Sequence, residues 1–329
     1  MAQSARIYRG TPKNLAVLAS RLRSGELVAV PTETVYGLAA DATNAAACRR
    51  IFDAKGRPAT DPLIVHIASR RDLARVALAN PAALKLARKF WPGPLTIVLP
   101  KTPVVPAVAT SGLPSVAVRM PRHPLLRRLI RLAGTPLAAP SANRFGYVSP
   151  TTAEHVRADL GGSVLHILDG GPSQIGVEST IVDLRDPRRP AVLRPGAISR
   201  AEIARALGRR LVSARVDPAR PIAPGHLARH YSPRTPVTLH PNLSRRMAAD
   251  APLEAWVFIG RPPWTRTGRQ PQNVFWLDPR GDLSGAARQL FATLRRLDAR
   301  GFGRIHVEIP SGPGLAEALV DRLTRAAAL

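Results

Sequence analysis

Two stretches near the start of the chain carry side chains that could bind an anion. Residues 31–41 read PTETVYGLAAD after an apolar run at 27–30, and residues 55–58 read KGRP before a second apolar run at 63–67. We expect both apolar runs to be buried strands, with a helix at 44–54 between them. Hydroxyls, a lysine and an arginine would then lie in loops at strand ends, where α/β proteins build ligand sites.

The threonine-rich stretch is predicted to be a turn between the strand at 27–30 and a following helix. Thr32, Glu33 and Thr34 would lie in that turn. Backbone N–H groups without partners suit a carboxylate or a phosphate at such a place. The alternative interpretation is that Thr32 or Thr34 merely caps the helix.

The KGRP stretch places two cations, Lys55 and Arg57, in a loop that Gly56 and a proline constrain. A rigid loop of this kind can hold a point charge and a planar guanidinium around anionic oxygens. The GxxxxGK[ST] pattern of a phosphate loop is missing, so phosphate binding would depend on side chains.

Two later strands carry polar residues among apolar ones. His66 alternates with apolar neighbours, which is compatible with a structural role as well as a ligand role. The segment SVAVRM alternates as a strand, with Val116 and Val118 on one face and Ser115 and Arg119 on the other. An arginine on a buried face needs an anionic partner, either from a ligand or from the protein.

Further turns repeat the pattern of small or charged polar residues at strand ends. Ser141 and Asn143 lie in the turn PSAN, and Ser149 lies just before a helix predicted at 152–160, where it could act as its cap. Arg194, in the turn RPG, is predicted to be an exposed arginine at a strand end. Polar groups of these types neutralise and position a transferring phosphoryl or nucleotidyl group.

Composition limits the class of protein. The chain has 329 residues, is 45% hydrophobic and carries a formal net charge of +26. The charge favours attraction to RNA, nucleotide or phosphate, although scattered arginines are equally typical of coding bias. The single cysteine, Cys48, excludes an internal disulfide and a multi-cysteine zinc site. No segment reaches the roughly 18 apolar residues of a membrane span, so we expect a cytoplasmic protein without a membrane partner.

The chain divides into three predicted parts. Residues 1–208 would form the main domain, and the proline-rich residues 209–236 would form a linker that folds back over its site. Residues 237–329 alternate strand and helix patterns, which predicts a small parallel α/β domain.

The motifs occur in an order that resembles a known family. They are PTETVYGL, KGRP with PLIVHI, WPGPLTIVL, VAVRMP, APSAN followed by SPT, and ESTIVDL with LRPG. Over roughly residues 7–206 they resemble the YrdC/Sua5 family of threonylcarbamoyl-AMP synthases. The added C-terminal part and the HYSP motif in the linker resemble the longer, Sua5-type branch.

The resemblance implies a fold and an activity. The fold would be a twisted YrdC-like α/β sheet with a large concave cavity, plus a small C-terminal Rossmann-like parallel α/β domain. The activity would be that of a nucleotidyltransferase that makes threonylcarbamoyl-AMP and pyrophosphate from L-threonine, bicarbonate or CO2, and ATP. The product would pass to the downstream tRNA threonylcarbamoyl transferase machinery for t6A modification, and weak tRNA binding is possible.

The resemblance also implies roles for individual residues. Threonine would be contacted by Thr34, His66, Arg119, Ala139 and Ser179. ATP would be contacted by Arg57, Asp61, Ser115, Ser141, Asn143, Ser149, Arg194 and Tyr231. Lys55 and Arg57 would be the catalytic cations, while Asp61 would contact ribose, magnesium or backbone. Mg²⁺ would be held mainly by the ATP phosphates, without a dedicated set of protein ligands.

Two other functions remain open at this point. An RNA- or tRNA-binding protein of the same fold could use a basic concave surface without catalysis, but it should have aromatic residues among the basic ones, and aromatics are only 5% of the chain. Hydrolytic removal of an aminoacyl or carbamoyl group needs a nucleophile–base pair, and the sequence offers none.

Overall fold

The computed structural model describes residues 5–214, 222–225, 230–265 and 271–328. This part of the chain contains a ten-stranded mixed sheet and a separate four-stranded parallel sheet, with helices packed against both. The predicted α/β class with a small parallel second sheet is therefore confirmed. The predicted linker at 209–236 lies partly outside the described residues.

The large sheet is built from strands of the first two thirds of the chain. They are β1 (Arg6–Arg9), β2 (Val28–Val30), β3 (Gly37–Asp41), β4 (Ile64–His66), β5 (Leu95–Pro100), β6 (Ser115–Arg119), β7 (Leu137–Ala138), β8 (His166–Asp169), β9 (Thr180–Asp183) and β10 (Ala191–Arg194). Their spatial order is β1-β8-β2-β3-β7-β4-β6-β5-β9-β10. Parallel pairing of β4 with β6 sets His66 opposite Arg119.

Helices surround this sheet. They are α1 (Pro12–Arg23), α2 (Ala45–Lys55), α3 (Leu73–Val76), α4 (Pro81–Phe90), α5 (Pro124–Ala133), α6 (Ala153–Leu160) and α7 (Arg200–Leu207), with 3₁₀ turns at Arg70–Asp72 and Ala107–Thr110. The alternation predicted for SVAVRM is confirmed, because Val116 and Val118 join the main core while Ala117 packs in a separate cluster on the other face.

The smaller sheet follows from Val237 onward. Its elements are β11 (Val237–His240), α8 (Arg245–Asp250), β12 (Ala255–Gly260), a 3₁₀ turn (Pro263–Thr265), β13 (Val274–Asp278), α9 (Leu283–Asp298), β14 (Ile305–Glu308) and α10 (Leu315–Ala327). The strands are parallel in the order β11-β14-β12-β13. Among the described helices of the whole chain, none is long and apolar enough to cross a bilayer.

The segment after the threonine turn is a strand, so the predicted helix there was wrong. Gly37–Asp41 pairs antiparallel with β2 on one side and with β7 on the other. A buried run of leucine and alanine is compatible with either helix or strand, and the two partner strands decide between them. Helix α3 is a single turn, Leu73–Val76, because Ala77 is extended.

Helix α2 positions the first predicted cation. The Asn44 side chain accepts hydrogen bonds from the N–H groups of Ala46 and Ala47 at its start, and Gly56 ends it in the left-handed region with φ of 61°. Lys55 is therefore the last helical residue, not a loop residue as the sequence suggested. Its side chain points into the protein from the end of a rigid helix.

Candidate active site

A cavity lies where the turn after β2, the ends of β4, β6 and β10, the turn after β7 and the residues just before β9 come together. Its lining includes the predicted residues Thr34, Arg57, His66, Arg119, Ala139, Ser141, Ser179, Arg194 and Tyr231. The structure thus brings these nine predicted residues together at one cavity. Five others, Lys55, Asp61, Ser115, Asn143 and Ser149, are absent from that lining.

Arg119 has the anionic partner that its buried position requires. Its Nη2 lies 2.7 Å from Oε1 of Glu33, and its Nη1 donates to the Thr34 hydroxyl at 2.9 Å. Burial favours the neutral form of Glu33, but the Arg119 charge and the hydrogen bonds to the carboxylate together hold the pKa of that carboxyl below its ordinary value. Thr32 completes the turn by bonding the Thr34 hydroxyl at 2.8 Å. The threonine hydroxyls thus organise a strand-to-strand turn and cap no helix.

His66 is a neutral imidazole inside the same wall. The side chain is 2% exposed, with Nδ1 3.3 Å from the carbonyl of Ile64. Burial, followed by the nearby Arg119 charge, lowers the pKa of His66 to about 3. A neutral ring can serve as a hydrogen-bond donor or acceptor to a ligand across the physiological pH range.

The pKa of His66 makes stability depend on pH, and His66→Gln should reveal it. The unfolded chain takes up the His66 proton near its ordinary pKa of 6.5, whereas the folded chain resists protonation down to about 3. Neutral His66 therefore contributes fully to the unfolding free energy at pH values above the pKa of the unfolded chain. This contribution is lost as the pH falls toward the pKa of the folded chain. Between pH of about 7.5 and about 5, the unfolding free energy of the wild type should fall by about 2 kcal/mol more than that of His66→Gln. Urea unfolding of both proteins at both pH values measures this difference. Equal losses of unfolding free energy in the wild type and in His66→Gln would contradict a neutral, buried His66.

Arg57 lines the cavity, and Lys55 lies two residues earlier in the chain, outside that lining. Lys55 Nζ donates to the carbonyls of Ser141 and Asn143, the first at 2.7 Å. Burial, and then the charge of Arg57, lower the pKa of Lys55 well below its ordinary value. Arg57 Nη2 pairs with Asp61 at 2.9 Å, which gives the acid at position 61 a partner within the protein.

Arg194 is buried, not exposed as the sequence suggested. It is 4% exposed and donates to the carbonyl of Ser179 from Nε and Nη2, at 3.2 and 3.1 Å. Its Nη1 donates to Pro224 of the predicted linker at 3.3 Å. The backbones of the two loops touch at Gly196, where a Cβ atom would lie 2.3 Å from the N of Thr180. Only glycine fits there, so Arg194 is fixed against the turn that carries Ser179.

Ser149 does not cap a helix. The cap of α6 is Thr152, whose side chain accepts from the N–H of His155. The Ser149 hydroxyl instead donates to Oε1 of Glu178, a cavity residue that sequence reasoning overlooked although it lies in the ESTIVDL motif. Ser115 lies on the same strand face as Arg119, four residues earlier, and its buried hydroxyl has no hydrogen-bond partner in the described chain.

Described residues of the predicted linker form one wall of the cavity. Pro224, Gly225, His230 and Tyr231 all line it. Tyr231 is 1% exposed, adopts a φ of 62° and has a buried hydroxyl without a hydrogen-bond partner among the described residues. A left-handed backbone at a bulky residue is strained and persists where surrounding contacts impose it.

Two buried cations of the site have no carboxylate partner in the described chain. Arg57 and Arg119 pair with Asp61 and Glu33, but Lys55 and Arg194 donate only to neutral groups. Burial is the main cause that lowers the pKa of both groups. Buried cations without counter-ions are costly unless an anion binds nearby, so the surroundings of Lys55 and Arg194 are suited to an anionic ligand.

Comparison with known families agrees with this geometry. Residues 20–196 match the Sua5_yciO_yrdC family model, described as telomere recombination, and residues 198–328 match the threonylcarbamoyl-AMP synthase C-terminal domain. The chain belongs to the Sua5/YciO/YrdC family. A threonylcarbamoyl-AMP synthase of Pyrococcus abyssi is 42% identical over 95% of this chain and 93% of its own length. The Bacillus subtilis synthase is 40% identical over 95% and 92%.

The family also shares this architecture in solved structures. The crystal structure of P. abyssi Sua5 complexed with L-threonine superimposes with a TM-score of 0.87 at 40% identity, covering 98% of this chain and 96% of that one. Escherichia coli YciO, at 21% identity and a TM-score of 0.51, covers 58% of this chain and supports the fold alone. The Sua5-type resemblance is thereby confirmed, whereas the domain boundaries and the roles of single residues stay predictions.

Proposed function

We propose that this protein makes threonylcarbamoyl-AMP and pyrophosphate from L-threonine, ATP and bicarbonate or CO2. Relatives that align over nearly the whole chain are threonylcarbamoyl-AMP synthases. The observation that carries the nucleotide half of the proposal is the pair of buried cations, Lys55 and Arg194, that lack carboxylate partners in the described chain. A nucleotide triphosphate and a carbamate are the anions that this activity supplies.

The threonine subsite is proposed on the side of Arg119. A ligand carboxylate would approach the Arg119 guanidinium, whose Nε has no hydrogen-bond partner among the described residues. Thr34, neutral His66, Ala139 and Ser179 would surround the rest of the amino acid. The L-threonine bound to P. abyssi Sua5 supports threonine as the amino acid.

The reaction is proposed in two steps. The threonine amine attacks CO2 and loses a proton, which gives a carbamate. A carbamate oxygen then attacks the α-phosphorus of ATP, and the bond to the β-phosphate oxygen breaks to release pyrophosphate. Lys55 and Arg57 would offset the negative charge that develops on the transferred and leaving oxygens. Ser141, Asn143, Ser149, Ser115, Arg194 and Tyr231 would hold the nucleotide.

Magnesium fits this site as an ion carried by ATP. The described residues contain no group of three or more potential metal ligands. Asp61 Oδ1, which has no hydrogen-bond partner in the described chain, could add one protein oxygen beside Arg57. Bound Mg²⁺ would neutralise phosphate charge, while the positioning of the substrates would be the task of the protein side chains.

The wider setting is part of the proposal. A mixed anhydride of a carbamate and AMP is reactive, so it should pass quickly to a tRNA threonylcarbamoyl transferase that forms t6A. The net charge of +26 is compatible with weak tRNA binding during that transfer. The proposed location is the cytoplasm, where ATP and tRNA modification occur together.

Pyrophosphate release tests the function. The purified protein, supplied with ATP and Mg²⁺, should release pyrophosphate only when both L-threonine and bicarbonate are present. Omission of either substrate should reduce the rate to background. Equal release without threonine would indicate a simple ATP pyrophosphohydrolase. Salt-sensitive tRNA binding without any turnover would favour the RNA-binding alternative.

A further inference from the structure

A fully buried arginine of the C-terminal helix reaches the wall of the cavity. Arg322 of α10 is 0% exposed, and its Nε donates to Oε2 of Glu178 at 2.7 Å. Its Nη2 donates to the carbonyl of Pro195 at 3.0 Å, and Nη1 pairs with the neighbouring Asp321. The guanidinium carbon also lies 5.3 Å from the centre of the Tyr231 ring. All of its polar groups are thus engaged between α10 and three separate segments of the site.

The three contacts outside α10 connect Arg322 with residues proposed for the nucleotide. Glu178 accepts the hydroxyl of Ser149 through its other oxygen. Pro195 directly follows Arg194 in the chain. Tyr231 contacts Arg322 itself. Arg119 and Thr34, which are proposed for threonine, make no hydrogen bond or ion pair with Arg322 in the described chain and are held instead by Glu33 and Thr32.

The positive charge of Arg322 also neutralises Glu178. Glu178 is 5% exposed and faces a cavity that should receive a triphosphate. Without a cation beside it, this buried carboxylate would repel the phosphates. We infer that Arg322 is a positioning residue of the nucleotide subsite, which neutralises Glu178 and fixes Ser149, the Arg194 loop and Tyr231. The C-terminal domain would then form part of the active site.

This inference rests on the proposed function and on its division into nucleotide and threonine sides. The competing explanation is that Arg322 only fastens two domains together. The same interface contains an ion pair of that simpler kind, since Arg200 Nε lies 2.6 Å from Oε1 of Glu317 and both side chains are more than 40% exposed. An exposed pair of this sort contributes little to stability.

Steady-state kinetics of the full-length protein distinguishes the two explanations. Arg322→Met should raise the KM for ATP by about tenfold or more, and leave the KM for L-threonine within about twofold, because a small misplacement of binding groups weakens only the ligand that they hold. Arg322→Lys keeps a cation beside Glu178 and should recover part of the loss. Arg200→Ala, which removes the exposed ion pair with Glu317, should leave the KM values for ATP and for L-threonine unchanged.

A loss of folding must be separated from a loss of positioning. Leu323→Ala removes a buried side chain next to Arg322 and should lower the melting temperature without the selective rise in the KM for ATP. If Arg322→Met does not fold, the KM for ATP can still be measured in Arg322→Lys and Glu178→Gln. Equal changes of both KM values, or a pattern like that of Leu323→Ala, would overturn the inference. Absence of threonine-dependent turnover in the wild type would instead overturn the proposed function.

Discussion

Arg119→Met should raise the KM for L-threonine by about two orders of magnitude while the KM for ATP changes by less than about threefold. The substitution removes the group proposed to bind the threonine carboxylate. It also leaves Glu33 buried at 3% exposure without the cation that lies 2.7 Å away, and removes the donor that orients Thr34. An unpaired acid directly behind position 119 would repel the carboxylate of the substrate, so both effects act in the same direction.

Two variants sharpen this experiment. Arg119→Lys keeps the charge but loses the planar fork that contacts Glu33 and Thr34 together, so it should recover only part of the affinity. Arg122→Met removes an exposed arginine three residues later, outside the cavity lining, and should leave both constants unchanged. Isothermal titration with L-threonine gives the affinity independently of turnover. A rise in the KM for ATP as large as that for threonine would show that Arg119 serves no threonine-specific role.

The turns that surround the cavity could be predicted from the sequence because each carries a local pattern. Small and charged polar residues follow short apolar runs, and such runs become strands whose ends meet at a sheet edge. The alternation in SVAVRM set Arg119 on the face opposite Val116 and Val118, as the packing clusters confirm. A local pattern therefore gave the direction of a side chain, but not the partner that the side chain would meet.

Partners from distant segments account for most of what the sequence did not reveal. Glu178 and Arg322 are 144 residues apart, and their contact depends on how α10 packs against the large sheet. One clue was present, since Arg322 lies between Leu319 and Leu323 on the buried stripe of its helix. An arginine within an apolar stripe implies a buried acid elsewhere. Scattered arginines throughout the chain obscured that clue.

Strand identity was also decided by distant segments. Strand β1 was not predicted because, in the described chain, it pairs with β8 alone, about 160 residues later. Strand β3 looked like a helix because leucine and alanine favour helices, yet it pairs on both sides in the fold. The tertiary partners overrode local propensity in both places, which is why the motifs were easier to predict than the elements that carry them.

Lys55→Met should lower kcat by about three orders of magnitude and alter the two KM values far less. Lys55 Nζ holds the carbonyls of Ser141 and Asn143, and it is one of the two buried site cations without a carboxylate partner in the described chain. Its charge would matter most when the bond to pyrophosphate breaks and negative charge moves onto the leaving group. Lys85→Met, at an exposed lysine that reaches one carbonyl at 3.4 Å, is the matched control and should be neutral.

The state of the Lys55 amine gives this prediction a second readout. Because burial and the Arg57 charge lower the pKa of Lys55 in the free protein, an arriving triphosphate should raise that pKa again and draw in a proton. Calorimetric ATP titrations in buffers of different ionisation enthalpy should therefore show proton uptake above the lowered pKa in the wild type, and none of that uptake in Lys55→Met. If Lys55 served only to hold the turn at 141–143, Lys55→Met would lose thermal stability and kcat together. It would then bind ATP with the same proton uptake as the wild type. Loss of the uptake with a normal melting temperature would establish that the charge itself acts on the nucleotide.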